Sequence, residues 1–220
     1  ITGDGTLGIS VAANTASDTA GNNAVAPTDS SIFNVDNTAP VVVISEPSVT
    51  DTNAGPVTYT LTYTDADTIS LAGGDITLNK TGTAHGTVAV SGAGNTRLVS
   101  ISSITGDGTL GISVAANTAS DTASNNAVAP AASTTFAVDN SAPTLTIGAP
   151  SVTTTRAGPV TYALTYADAD NITLALGNIT LVKTGDANGT LALSGSGNDR
   201  TVTISGISGD GTLGITVAAN

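Results

Sequence analysis

The stretch 55–65 reads Gly-Pro-Val-Thr-Tyr-Thr-Leu-Thr-Tyr-Thr-Asp, and its apolar and polar residues alternate without a break. Val57, Tyr59, Leu61 and Tyr63 fall on one face of an extended chain, and Thr58, Thr60, Thr62 and Thr64 on the other. A period of two built from aromatic, β-branched and leucine side chains predicts a strand buried on one side. Further runs of this kind lie at 41–44, 69–80, 86–91, 97–102, 109–114 and 133–138, separated by Gly- and Asn-rich turns. A bulge is expected at Gly73-Gly74, and no stretch reads convincingly as a helix.

The pattern repeats. Residues 1–20 recur unchanged at 104–123, and 1–103 match 104–206 at 73 of 103 positions. A period of this length is too long for helical or leucine-rich solenoids, whose units run about 20–50 residues, and fits a string of whole domains. The Pro of Thr-Ala-Pro and Ser-Ala-Pro cannot donate to a ladder and suits the opening of a strand, so the boundaries fall after Asn37 and Asn140. This predicts the C-terminal part of one repeat at 1–37, a complete repeat at 38–140, and a following repeat at 141–220 that lacks its last strand. The chain begins mid-pattern, without a signal peptide or initiator Met, and reads as a window onto something longer.

Comparison of the copies orients the first strand. Val41 and Val43 become Thr144 and Thr146, whereas Val42 and Ile44 become Leu145 and Ile147. A position that exchanges Val for Thr tolerates water, so Val42 and Ile44 are expected to point inward. Seven short strands in about 100 residues predict an all-β fold: tandem immunoglobulin-like β-sandwich domains, seven strands each, arranged end to end.

Charge changes the picture at the domain ends. The chain carries 17 acidic and 5 basic side chains, for a net charge of −12. Such a balance argues against nucleic-acid binding, which needs clustered Lys and Arg. No run approaches the roughly 18 apolar residues of a membrane-spanning helix. The absence of Cys excludes disulfides and thiolate metal sites. Antiparallel topology sends the loops following the second and sixth strands to the pole where the linker arrives. These carry Asp65 and Asp67 in Thr-Asp-Ala-Asp-Thr, and Asp121. The linker itself carries Asp36 and Asn37, and the preceding repeat presents Asp4.

No Lys or Arg lies in these segments, and like charges this close repel by several kcal/mol at intermediate dielectric. A hard cation with six to eight oxygen ligands relieves that repulsion, which points to calcium. The second junction repeats the set with Asp107, Asp139, Asn140, Asp168 and Asp170, and Asp18 belongs to a site at the head of the first repeat.

Each acid also has a simpler reading. Asp4, Asp107 and Asp210 sit in Gly-Asp-Gly, where a turn is the stronger reading. Asp36 and Asp139 can bond nearby backbone as readily as a metal. The Asp-x-Asp pairs at 65/67 and 168/170 favour calcium, because a doubled acid is not needed for a turn. Asp29, Glu46, Asp51 and Asp75 become Ala132, Ala149, Thr154 and Asn178 and read as solvated surface.

The stretches Val-Asp-Asn-Thr-Ala-Pro, 53–67, 105–116 and Ala-Ser-Asp-Thr-Ala-Gly-Asn resemble bacterial Ig-like tandem repeats of giant surface adhesins, over essentially the whole chain. The linker more loosely resembles the cadherin pattern of interdomain calcium binding. The acid that cadherins place two positions before Asp-Asn is Asn34 in one copy and Ala137 in the other. The resemblance implies an exported extender module, at the cell surface or secreted, stiffened by calcium.

No catalytic constellation is visible. The only His, His85, becomes Asn188 in the next copy, and Asp65 and Asp67 lack an aromatic platform for sugar. The protein is expected not to be an enzyme. Its expected partners are neighbouring repeats of the same chain, with lateral copies as a further possibility. Two alternatives to a spacer stand beside it: a binding module for polysaccharide, ice or a receptor, and a subunit of a self-associating filament or layer.

Overall fold

The computed structural model describes residues 1–218 and shows an all-β protein of two compact units, Ile1–Asn140 and Ser141–Asn220. In the first unit, β1 (Gly5–Leu7) and β2 (Phe33–Val35) form an antiparallel pair. There follow β3 (Val41–Ile44), β4 (Asp51–Thr52), β5 (Val57–Thr64), β6 (Thr68–Ile69) and β7 (Ile76–Lys80). The unit closes with β8 (His85–Ser91), β9 (Thr96–Thr105), β10 (Gly108–Val114), β11 (Ala119–Ser120) and β12 (Phe136–Val138). One sheet has the order β3-β5-β9-β8 and another β4-β12-β10-β7, which is the strand partition of an immunoglobulin-like sandwich.

The alternation along β5 drives this packing. Val57, Tyr59, Leu61 and Tyr63 are all buried, while the intervening threonines face outward. Tyr59 meets Phe136 of the opposite sheet with ring centroids 6.5 Å apart. Both tyrosines keep their polar tips satisfied: the Tyr59 hydroxyl donates to the Thr134 carbonyl at 2.8 Å, and that of Tyr63 to Thr118 Oγ1 at 3.1 Å. Val42 is buried, whereas Val41 and Val43 are more than half exposed, as the Val/Thr exchange between copies predicts.

The first strand changes sheets. Between β3 and β4 the Ser45 and Ser48 hydroxyls accept from the Thr60 and Thr58 amides, and Thr134 Oγ1 donates to Glu46 Oε2 at 2.5 Å. Glu46 is exposed, as expected, and its carboxylate accepts this surface bond. Beyond it, β4 runs parallel to β12.

The expected strand at 69–80 is also interrupted. Gly73–Asp75 forms a 3-10 turn in which the Ala72 amide donates to Asp75 Oδ2 at 2.8 Å. In the second unit Asn178 Oδ1 takes the same bond from Ala175 at 2.9 Å, so the Asp-to-Asn exchange preserves an acceptor.

Glycines allow one close crossing. The turn carrying Asp107 lies backbone to backbone on the turn at 81–83, with Thr83 donating from its amide to the Asp107 carbonyl at 2.8 Å. A Cβ on Gly108, whose φ is +142°, would collide with the Thr81 carbonyl oxygen.

The second unit has β13 (Thr144–Ile147), β14 (Val160–Ala167), β15 (Ile179–Lys183), β16 (Asn188–Ser194), β17 (Asp199–Ser208) and β18 (Leu213–Val217). Its sheet order is β13-β14-β17-β16, and β15 pairs with β18. The core centres on Leu164, Ile179 and Val202.

Candidate functional site

Loop convergence at the head of the complete repeat follows from strand pairing. β6 continues from β5 and pairs with β11, which continues from β10, so the loops holding Asp67 and Asp121 run side by side. The Asp67 amide donates to the Ser120 carbonyl at 3.0 Å. The linker arrives at the same place, where Asn125 Nδ2 donates to the Asp36 carbonyl at 3.0 Å.

The carboxylates, however, are engaged separately. Asp4 takes the linker from the other side: its Oδ1 accepts the Asn37 amide at 2.5 Å and its Oδ2 accepts Thr38 Oγ1 at 2.7 Å. Asn37 Nδ2 in turn donates to the Gly3 carbonyl at 2.6 Å. Asp36 Oδ1 accepts the Thr38 amide at 2.9 Å, the local backbone bond expected of a strand-end Asp. Asp107 repeats the arrangement at the tail of the complete repeat, accepting the Asn140 amide at 2.6 Å, while Asn140 Nδ2 reaches the Gly106 carbonyl at 2.6 Å. There β12 ends as the Asp139 amide donates to the Thr52 carbonyl at 3.1 Å.

Asp121 organises its own loop. Its Oδ1 accepts the Asn125 amide and its Oδ2 accepts Asn125 Nδ2, both at 2.8 Å. Asp18 holds Asn22 in the same way, at 2.9 and 2.8 Å. Asn14 and Asn117, the matching residues that open these two loops, both have φ +64°. The two loops thus share one shape.

Asp65 and Asp168 correct one step of the sequence argument. Both adopt left-handed backbone, φ +62° and +57°, which Asp tolerates better than most residues, so the first acid of each Asp-x-Asp pair does serve a turn. Asp170 stands two residues later in the second unit. Among the described residues, the Asp65 and Asp67 carboxylates accept no hydrogen bond, and no three Asp, Glu, His or Cys side chains are grouped so as to hold a metal ion.

The electrostatics match the bonding. The Asn37 amide and Thr38 hydroxyl hold the Asp4 carboxyl below its ordinary value, and the Asn125 side chain does the same for Asp121. A carboxylate depressed on folding contributes stability above its unfolded value, and that contribution is lost as pH falls through the folded value. A pH titration followed by the amide shifts of Asn37 and Asn125 should therefore show midpoints below 3.8, with the linker intact at neutral and mildly acidic pH. Midpoints at or above 3.8 would contradict these bonds.

Sequence reasoning singled out Asp121 but missed Asn125 and Thr38. The available signal was Asp-x-x-x-Asn, kept at 18/22 and 121/125.

No family model matches the chain, and no curated protein does. Among solved structures, the chain is similar to one described as "FdeC, a Novel Broadly Conserved Escherichia coli Adhesin Eliciting Protection against Urinary Tract Infections", at 17% identity and a TM-score of 0.43, over 97% of this chain and 69% of that one.

Proposed function

We propose that this chain is a structural extender: a run of sandwich repeats in an extracellular protein of the cell surface, whose work is to hold other parts at a distance. The observation that carries this reading is the linker at 36–38, gripped by Asp4 from the repeat before it and by Asn125 from the repeat after it. A free hinge would need no such grips. The near-identical repetition supports the same reading, because copying a sandwich adds length without adding chemistry. An acidic surface with few basic groups keeps parallel copies soluble.

Calcium belongs to the proposal as an added stiffener. The uncommitted carboxylates of Asp65 and Asp67 favour it, with Asp168 and Asp170 as their counterparts in the next repeat. The ligands left for an ion are fewer than expected, since Asp4, Asp18 and Asp121 are committed to hydrogen bonds.

The test is small-angle scattering on chains carrying two, four and eight repeats, with and without chelator. The maximum dimension is expected to rise in proportion to repeat number. A freely jointed string would instead grow roughly as its square root, which would refute the extender. Shortening on chelation would add calcium to the joint, and no change would remove it. Concentration-dependent growth in mass would favour the filament reading.

A further inference from the structure

We propose that the loop at 117–127 is a latch for the linker of the preceding repeat and that Asn125 is its key. Three observations on different atoms support this.

The first is the contact itself. Asn125 Nδ2 reaches the Asp36 carbonyl across 89 residues of sequence, at 3.0 Å. A carbonyl at this point is fixed by the fold, because the neighbouring Asn37 amide is already held by Asp4.

The second is the way Asn125 is aimed. Its side-chain amide has two hydrogens, and Asp121 Oδ2 takes one at 2.8 Å while the linker takes the other. Asp121 is only 8% exposed, and its Oδ1 also accepts the Asn125 backbone amide. The carboxylate therefore orients the donor, and a donor bound to an ionised acceptor is held more firmly than a neutral pair would hold it.

The third is preorganisation. The loop is closed by the Asn117 amide on the Ala127 carbonyl at 2.8 Å and by the Asp121 amide on Asn125 at 3.2 Å. The loop at 14–24 has the matching bonds, Asn14 to Ala24 at 2.7 Å and Asp18 to Asn22 at 3.0 Å. These bonds lie within the loop and do not use the linker, so closing the latch costs little ordering entropy.

Asp121 thereby takes a role other than metal ligand: it is a positioning residue acting through Asn125. The latch deepens the extender reading, on which it rests only for its purpose. Its test reads local geometry rather than length, so the two fail separately.

The experiment compares Asn125→Ala, Asn125→Asp and Asn22→Ala in the whole 220-residue chain, in chelator, by amide exchange and heteronuclear relaxation. Asn125→Ala is expected to lower protection of the Asn37 amide about five- to tenfold and to give 1–37 motion independent of the sandwich. Asn125→Asp should do at least as much, since it puts a carboxylate against both Asp121 and the Asp36 carbonyl. Asn22→Ala removes the same Asp–Asn grip from the matching loop, and should leave Asn37 unchanged. Unchanged Val57 and Leu61 amides would show that the sandwich remains folded; if they change, Asp121→Asn is the variant to read, with a smaller loss at Asn37. Equal effects from Asn22→Ala and Asn125→Ala would overturn the proposal. So would wild-type protection at Asn37 that disappears on chelation alone.

Discussion

Replacing Phe136 by Ala is expected to cost the complete repeat about 3–5 kcal/mol, the usual range for deleting a fully buried ring. Phe136 is 1% exposed and packs at a tilt across the sandwich against Tyr59, whose hydroxyl is tied to the carbonyl two residues before Phe136. The loss includes the ring's transfer from water and the cavity left between the sheets. Val43 supplies the control within the same repeat. It lies on β3, is 57% exposed and is replaced by Thr146 in the next copy. Val43→Thr should therefore change stability by about 0.5 kcal/mol or less. Denaturant unfolding of the two variants decides the matter, and comparable losses would mean that the sandwich core does not depend on β12.

The second large effect is expected at Gly108. Ala there must adopt φ +142° and push its Cβ into the Thr81 carbonyl oxygen, at a crossing where both partners are backbone and neither can swing away. Unfavourable backbone alone costs about 1–3 kcal/mol, and the collision adds to it. A total of about 3 kcal/mol should lower the melting temperature by about 12–20 °C for a domain of this size. Gly94 also has a positive φ, +61°, but a Cβ there meets nothing within 4 Å. Gly94→Ala should lower the melting temperature much less. If both variants melt alike, the crossing is not what demands glycine.

How much of this was readable beforehand depends on the range of each signal. The alternation at 57–64 and the Val/Thr exchange at 41 and 43 report directly on which side meets water, and both placed the core correctly. The pole where Asp36, Asp67 and Asp121 gather followed from strand reversal. The partners of the carboxylates did not follow, because a hydrogen bond over 33 residues from Asp4 to Asn37, or over 89 from Asn125 to Asp36, leaves no periodic trace. Charge drew attention to these acids, but the amides and hydroxyl that meet Asp4 and Asp121 carry no charge to mark them. Glu46 and Asp75 were discounted because they vary between copies. Yet an acceptor at position 75 survives as Asn178, so variation in charge concealed constancy in bonding.

The sheet change made by the first strand has a consequence for a chain pulled from both ends. β4 and β12 lie parallel, joined by the Ala137 amide on the Thr50 carbonyl at 2.8 Å and the Asp139 amide on Thr52 at 3.1 Å. Because one strand leads back to the start of the repeat and the other leads out of it, tension drags them in opposite directions along their length. These bonds are then sheared together rather than unzipped in turn, and rupture requires them to fail at once.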